Sequence, residues 1–339
     1  MPLCSMNNSV EKLVKTLPYQ QCYVLSSADP DVRFNGSSGG FVTGLAKYLF
    51  GENRIHSAIC FHYTGESLFA PTLAFSEKDY VQSGSIYHHV SLVRFLHKNL
   101  DKIRSPLFVT CLPCECLAIR KLLHKHEIES VIVSLVCSGQ LTKQATYDFL
   151  SKHKININKV RSLRYRGRGW PSGMTVEMLD GQKHFFHNVD SDWKCFFHST
   201  IYNLQRCFYC TDTYGVSADF SVADPWFKDY IENEKVGCTV VCASENRFIR
   251  LIEQMVTNGQ LELHETIEPA ELVQSQYWTV AKKESFRKYK FLKLLIRFFR
   301  TNFYRKLFLV GNYRYLHYKR YMKLLKRYKK KLYAENNNH

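Results

Sequence analysis

Six of the twelve cysteines lie in short groups that suit metal binding or redox chemistry. They are Cys111, Cys114, Cys116, Cys137, Cys207 and Cys210. The first three lie where a predicted strand gives way to a helix, the fourth follows a second apolar strand, and the last two form a C-x-x-C pair in a polar stretch. Helix N-termini lower the pKa of thiols, and the carboxyl ends of strands present functional groups in α/β sheets. Four such thiolates around one centre suit zinc or an iron–sulfur cluster.

The spacing of these cysteines leaves several kinds of site open. Two C-x-x-C pairs, 111/114 and 207/210, resemble a zinc ribbon, but the gap between them far exceeds the usual ~15–20 residues. A thiol–disulfide pair of Cys111 and Cys114 is a further alternative. The other six cysteines are predicted to be plain core residues. They are Cys4, Cys22, Cys60, Cys195, Cys238 and Cys242.

The elements that must position these cysteines follow an α/β pattern. A helix pattern follows the glycine-rich loop at 35–40, and another covers 89–103. Apolar strands at 107–110 and 131–136 enclose a helix at 117–124, which is typical of a βαβ unit. Further strands are predicted at 54–62, 67–75, 174–179, 184–189, 219–222 and 239–243, and a helix at 246–257. We predict a mixed sheet with flanking helices over residues 1–280, beginning with a short helix and strand within 1–30.

The net charge of +17 is carried entirely by the C-terminal segment, because residues 282–339 hold 19 basic residues and only two acidic ones. Apolar residues recur there at helical spacing and Gly311-Asn312 interrupts them, which predicts basic amphipathic helices over 281–339. Such helices suit an anionic membrane surface, contacted through residues 282–333. The alternative is that they pack on the body with a solvated basic face. Nucleic acid is a third and weaker candidate, because no recognised module accompanies the charge.

Targeting signals are not expected from the sequence. The first residues lack the charged and apolar regions of a signal peptide, and no uncharged apolar run approaches the ~18–20 residues of a membrane span. We therefore expect a cytoplasmic protein, peripheral at the inner face of the membrane, with reduced thiols.

Six short motifs occur in a fixed order. They are Ser37-Ser38-Gly39-Gly40-Phe41, Gly84-Ser85-Ile86-Tyr87, Leu112-Pro113-Cys114-Glu115, Leu135-Val136-Cys137-Ser138-Gly139, the stretch 164–170, and Cys207-x-x-Cys210 followed by 218–226. Over residues 20–260 the set resembles the beta-subunit family of coenzyme F-420 hydrogenase/dehydrogenase. That family includes flavin- and iron–sulfur-containing reductases and many bacterial members linked to polysaccharide gene clusters.

The resemblance implies a ligand set and a function. One 4Fe-4S cluster is expected on Cys114, Cys137, Cys207 and Cys210, with Cys111 and Cys116 as extra thiols. FAD or another flavin is expected at Ser37, Ser38, Gly39, Gly40, Thr43, Ser85, Tyr87, Asp219 and Asp224. The implied activity is that of an oxidoreductase passing electrons between cluster and flavin to an organic substrate or partner, with polysaccharide biosynthesis as the suggested context. The alternative is a non-enzymatic Cys4 zinc protein that scaffolds a membrane-associated glycan-synthesis complex.

The chain departs from the family at a few positions. Ile86 stands where the family has Lys, Ser138 where it has His, and Ala223 where it has Gly. The N-terminal ferredoxin-like cysteine cluster of many members is missing. We therefore expect electrons from a donor protein, a reduced cofactor or another subunit.

Several residues have both a functional and a structural interpretation. The loop at 37–40 has the features of a phosphate site at a helix N-terminus. The alternative is a tight helix cap that binds no ligand. An arginine strip with Trp170 suits an anionic cofactor or a solvated strand; it consists of Arg161, Arg164, Arg166 and Arg168. Asp219 and Asp224 fit either the flavin site or structural turns. His88 and His89 are candidates for proton transfer, because histidine titrates near neutral pH.

Overall fold

The computed structural model describes residues 13–337, in which eleven strands form two sheets. The strands are β1 Gln21–Ser27, β2 Ser57–Tyr63, β3 Phe69–Ala74, β4 Leu107–Cys111, β5 Ser130–Leu135, β6 Val160–Arg164, β7 Gly173–Met178, β8 Lys183–His187, β9 Phe220–Ala223, β10 Thr239–Ala243 and β11 Leu261–Ile267. The eight-stranded sheet has the order β11-β1-β10-β9-β5-β4-β2-β3, and β6-β7-β8 form the smaller sheet. Part of the predicted N-terminal helix, and Cys4, lie outside the described residues.

Helices surround these sheets and then continue alone to the C-terminal end of the described chain. They are α1 Pro30–Asn35, α2 Phe41–Gly51, α3 Leu92–Lys98, α4 Pro113–Lys125, α5 Gln144–Lys152, α6 Trp193–His198, α7 Lys228–Asn233, α8 Asn246–Thr257, α9 Pro269–Ser275, α10 Tyr277–Lys288, α11 Lys290–Phe299, α12 Asn302–Leu309 and α13 Tyr313–Asn337. The predicted fold class, a mixed α/β sheet with flanking helices and a helical C-terminal region, is confirmed.

The central strands of the large sheet have their carboxyl ends at the same edge. Strands β4, β5 and β9 run parallel, with Thr110 beside Val133 and Ser134 beside Ser221. These strands are buried on both faces, as the near-continuous apolar runs predict. Their carboxyl ends therefore meet at one edge, which is where parallel sheets place binding sites.

The smaller sheet contains the predicted hairpin. Asp180 and Gly181 join β7 to β8, and Gly181 has φ +88°, a conformation that glycine adopts readily. Strand β6 adds to the other side of β7. Its own sheet face packs with α5 and α6 in an aromatic core that includes Tyr165 and Trp193.

The C-terminal helices pack against the rest of the chain through one side. Arg314 donates from Nε to Asp192 at 2.8 Å, and the Phe308 and Phe196 rings are 5.3 Å apart. No helix within the described range is both long enough and apolar enough to cross a bilayer.

One cysteine pair differs from expectation. Cys22 on β1 and Cys242 on β10 are cross-strand neighbours, and their sulfurs are joined in a disulfide. Both residues are fully buried, as predicted, but the prediction that they are free thiols is wrong. Antiparallel pairing places their side chains directly opposite each other, which the sequence separation of 220 residues conceals.

Candidate functional site

The structure brings the four predicted ligand cysteines together at the carboxyl edge of the large sheet. Cys114 lies in the first turn of α4, Cys137 follows β5, and Cys207 and Cys210 lie on a short 3-10 turn, Gln205–Phe208, and just after it. The thiols of Cys114 and Cys210 hydrogen-bond each other. Cys137 lies within electrostatic range of both Cys207 and Cys210. Three distant segments thus form one thiol site.

Neighbouring donors hold the sulfur atoms. The backbone N–H of Gln140 donates to Cys207 Sγ at 3.3 Å. Lys283 Nζ donates to Cys210 Sγ at 3.5 Å and to the carbonyl of Asp212 at 2.7 Å. The Cys114 hydrogen bond and, after it, the Lys283 ammonium lower the pKa of Cys210 to about 6 against the opposing effect of burial. The same bond, with burial, raises the pKa of Cys114. Cys210 is therefore the more acidic thiol of the pair.

The two extra cysteines form a separate contact. Cys111 Sγ lies 3.3 Å from Cys116 Sγ, and both residues are buried. Cys116 also donates to the carbonyl of Leu112 at 3.4 Å. Cys111 therefore has Cys116 as its partner, and the structure does not support a Cys111/Cys114 pair.

The four cysteines form a soft donor set. Among residues 13–337, no three His, Cys, Asp or Glu side chains converge closely enough to bind one metal ion. All four cysteines are free thiols, and three of them are only partly buried. Soft thiolate donors of this kind select iron–sulfur clusters or zinc over hard cations.

A cavity of about 660 Å³ adjoins the thiol site and shares Cys137, Gly139 and Lys282 with it. Its size lies within the range of small-molecule and cofactor sites. Seven of the nine predicted flavin residues line it: Ser37, Ser38, Gly40, Thr43, Ser85, Tyr87 and Asp224. The structure therefore brings most of this predicted set to one place.

The loop before α2 forms one wall of the cavity. Gly40 has φ +80°, and a Cβ there would lie 2.7 Å from the carbonyl of Val32, so this position requires glycine. Ser37 Oγ accepts a hydrogen bond from the backbone of Ser85 at 2.6 Å, which ties the two predicted cofactor loops together. Phe41, Val42 and Thr43, in the first turn of α2, line the cavity, and the amides of a first helical turn lack acceptors within the helix, which suits an anionic group.

Two predicted flavin residues do not reach the cavity. Gly39 packs against the sheet, because a Cβ there would lie 2.8 Å from the carbonyl of Leu25. Asp219 lies at the opposite end of β9, where it accepts from Arg120 at 2.8 Å and from the backbone of Ile132 at 2.7 Å. Neither residue lines the cavity, and these hydrogen bonds give Asp219 a structural role.

Asp224 is the centre of a polar network beside the cavity. Arg166 donates to both of its carboxylate oxygens, at 2.7 and 2.8 Å, and Trp170 Nε1 and Ser38 Oγ donate to Oδ1 at 3.0 and 2.5 Å. Burial alone would raise the pKa of Asp224, but Arg166 and the other donors hold it below its usual value. The ionised carboxylate therefore anchors the Ser38 loop.

The remaining members of the arginine strip diverge. Arg161 contacts the carbonyl of Leu179 at 2.9 Å on an exposed edge, and Arg164 donates to the carbonyl of Asn35 at 2.6 Å. Arg166 is the member that lines the cavity. The strip is therefore not one binding surface.

The two candidate histidines differ in environment. His88 lines the cavity and is fully buried, and burial lowers its pKa to about 4. His89 Nδ1 lies 3.1 Å from Arg206, and burial followed by that arginine lowers its pKa as well. Both are neutral near pH 7, so a proton-relay role would have to begin from neutral imidazole.

Sequence reasoning missed the residues that hold the cysteines. Gln140, Lys282 and Lys283 are polar residues in stretches with no motif of their own, and only the tertiary fold brings them to the thiols. The position of Gln140, three residues after Cys137, was the one available signal.

Fold and site together indicate the class of redox-enzyme subunits, and comparison with known proteins makes this specific. Residues 22–97 match the family model for the N-terminal part of the coenzyme F420 hydrogenase/dehydrogenase beta subunit, and residues 105–269 match the model for its C-terminal part. Together the two matches span more than half of the chain. The chain belongs to the coenzyme F420 hydrogenase/dehydrogenase beta-subunit family, which confirms the predicted resemblance.

Two similar proteins are themselves redox enzymes. A coenzyme F420-dependent sulfite reductase from Methanocaldococcus jannaschii is 24% identical over 44% of this chain. The matched part spans only 26% of that relative's length. A chain in a structure of the F420-reducing NiFe hydrogenase complex from Methanosarcina barkeri superposes with a TM-score of 0.58 at 17% identity, covering 78% of this chain and 90% of that one. This likeness supports the fold.

Proposed function

We propose that the protein is an oxidoreductase that passes electrons between a 4Fe-4S cluster and a flavin. Cys114, Cys137, Cys207 and Cys210 would hold the cluster, and the adjoining cavity would hold FAD or a related flavin. The observation that carries the proposal is that four thiols from three distant segments share one site, which meets the cavity at Cys137. When bound, the cluster supplies single-electron transfer and the flavin supplies hydride-type chemistry.

The chain's own residues supply positioning and electrostatics. Gln140 donates to Cys207 Sγ, and Lys283 donates to Cys210 Sγ and favours its thiolate form. Arg166 and Asp224 fix the Ser38 loop on the cavity wall. Tyr87, Trp193 and Phe197 give the cavity an aromatic wall.

The substrate is an organic molecule or a partner protein, and the donor is a redox protein or a reduced cofactor. The resemblance to polysaccharide-linked family members makes polysaccharide biosynthesis our proposed context. Each of these statements is a prediction from family membership and from the cavity's size and polarity.

Anaerobic purification followed by metal analysis tests the proposal. We expect a brown protein with iron and acid-labile sulfide near four of each per chain, and a yellow chromophore released on denaturation. A colourless protein with one zinc per chain would instead support the structural Cys4 scaffold. A protein with iron and sulfide but no flavin would retain the cluster and reject the flavin half of the proposal.

A second proposal concerns the exposed side of α11. Phe291, Leu294 and Phe298 are 63%, 64% and 50% exposed, and they recur at helical spacing on one face. Phe303, at the start of α12, is 71% exposed. The only acidic residues after 281 are Glu284 and Glu335, and Lys290 and Arg297 are exposed on the same helix. Apolar residues bordered by Lys and Arg match an anionic membrane surface, and we propose binding at its inner face.

We expect the triple variant Phe291→Ser, Leu294→Ser, Phe298→Ser to bind anionic vesicles at least tenfold more weakly than the natural chain. A loss of about 1.4 kcal/mol in the free energy of inserting these side chains is enough to weaken binding tenfold. Flotation with phosphatidylglycerol-containing and purely phosphatidylcholine vesicles measures the change. The control Leu179→Ser alters an equally exposed side chain, 57% exposed, in the β7–β8 connection.

Unchanged flotation of the triple variant would reject this membrane face. Binding to DNA instead of vesicles, with a steep salt dependence, would favour the nucleic-acid alternative.

A further inference from the structure

Helix α10 lies beyond the residues that the family models match, which end at 269, yet it reaches the thiol site. Its Lys283 contacts Cys210 Sγ at 3.5 Å. Its Lys282 lines the cavity where the cavity meets Cys137. The two lysines are 8% and 5% exposed, in chain order, so both are buried in the interior of the protein.

Buried ammonium groups need compensating charge. Across the described residues, no carboxylate lies within ion-pair distance of Lys282 or Lys283. Lys283 donates to a sulfur atom and to a carbonyl oxygen, and Lys282 lies within electrostatic range of Cys207 and Cys137. An uncompensated buried charge is costly, so the thiol site is the natural counter-charge for both lysines.

The same helix also holds the C-x-x-C turn in place. The Phe286 ring on α10 lies 5.1 Å from the Phe208 ring, between Cys207 and Cys210, in an edge-to-face contact. Phe286 is 2% exposed and belongs to a hydrophobic cluster with α11 and α13. The guanidinium of Arg300 lies 5.3 Å from the Phe208 ring on another side. The C-terminal helices therefore form the outer wall of the cysteine site.

We infer that α10 is a structural part of the thiol site, in which Phe286 anchors the Cys207–Cys210 turn and Lys282 and Lys283 neutralise the charge of the bound cluster. The charge role rests on the proposed cluster, whereas the anchoring role does not. A reduced cluster carries one more negative charge than the oxidised one, so nearby positive charge favours the reduced form. The lysines are positioning residues that favour acceptance of one electron from the donor.

The test compares matched variants of the full chain. Lys283→Met and Lys282→Met each remove one buried charge, Lys283→Arg keeps it, and Lys290→Met removes an exposed charge at the start of α11. The readouts are iron and sulfide content and the cluster midpoint potential from a spectroscopic redox titration. We expect each buried-lysine variant to shift the reduced-to-oxidised ratio about tenfold toward oxidised, which is about 59 mV for one electron. Lys283→Arg should restore most of the natural value and Lys290→Met should not differ from it.

Hydrogen exchange in residues 204–213 tests the anchoring role without any cluster. Phe286→Ala should speed exchange there at least tenfold relative to Phe291→Ala, which truncates an exposed phenylalanine in the next helix. If the natural chain contains no iron, the proposed function fails, and this exchange result alone decides the anchoring role. Equal exchange in the two variants would overturn the anchoring role. Equal potentials in Lys283→Met, Lys282→Met and Lys290→Met would overturn the charge role.

Discussion

Replacing Cys207 and Cys210 by serine is expected to remove more than nine-tenths of the bound iron and sulfide. The two residues supply half of the proposed ligands, and Cys210 is the more acidic thiol of its pair with Cys114. A serine hydroxyl stays protonated near neutral pH and is a hard donor, so it replaces a thiolate poorly on iron. Iron and sulfide analysis with the visible spectrum, after anaerobic purification, measures the loss.

The other cysteines provide internal controls for this loss. Cys114→Ser and Cys137→Ser should each lower the iron content at least tenfold. Cys111→Ala and Cys60→Ala should leave it near the natural level, because Cys111 faces Cys116 and Cys60 lies within β2. Circular dichroism must show that each variant is folded. Full iron retention in folded Cys114→Ser or Cys137→Ser would reject the proposed ligand set.

The part of the fold predicted from sequence is the part with strong apolar periodicity. Strands β4 and β5 read as short buried runs because both of their faces are covered. Helix α4 begins at Pro113, four residues before the predicted start, because proline fits the first turn, where its missing N–H needs no partner. The cysteines of that turn therefore lie on the helix itself.

Elements without such periodicity escaped prediction. Strand β11, Leu261–Ile267, is an edge strand whose inner five residues are all exposed, so its sequence carries almost no apolar alternation. Strand β6, Val160–Arg164, has basic residues at two of its five positions. Its sequence therefore resembles a charged surface segment more than a strand. The sequence predicted one helix break in this segment, at Gly311. The structure has two more, after α10 and after α11, because apolar residues on several sides of these helices hide their boundaries.

The candidate site was likewise predicted only in part from the sequence. Cysteine spacing and motif order predicted which thiols converge, since those residues are rare and their neighbours form turns. Lys282 and Lys283 were indistinguishable from the other basic residues after 281, because a linear charge run does not show which members the fold buries. Arg166 likewise could not be distinguished in the sequence from three similar arginines. The fold singles it out, because Asp224, which follows β9, lies opposite it.

Removing the Asp224 carboxylate is expected to destabilise the protein by about 3–5 kcal/mol, because it leaves a buried arginine unpaired. The side chains of Arg166 and Asp224 are 8% and 15% exposed, so water compensates little for a lost partner. Urea unfolding of Asp224→Ala at neutral pH measures the free energy of unfolding. The control Asp229→Ala removes an exposed carboxylate from α7 and should change it by about 0.5 kcal/mol or less.

The pH dependence has a defined sign. The pKa of Asp224 is lower in the folded chain than its ordinary value of 3.8, so its contribution is fully present above that value and is lost as the pH falls through the folded pKa. The stability difference between the natural chain and Asp224→Asn should therefore shrink as the pH falls below 3.8. A constant difference across that range would mean that the carboxylate is not the ionised partner of Arg166.

A double variant separates stability from cofactor binding. Arg166→Met with Asp224→Leu removes both charges, and replacing a buried ion pair by apolar residues is often neutral for stability. We therefore expect the double variant to recover most of the stability that Asp224→Ala loses. Flavin binding, measured by fluorescence titration, should stay at least tenfold weaker, because Ser38 has lost the acceptor that holds its loop against the cavity. Recovery of both properties would show that the Arg166–Asp224 pair serves the fold alone, whereas recovery of stability without flavin affinity ties the pair to the cavity.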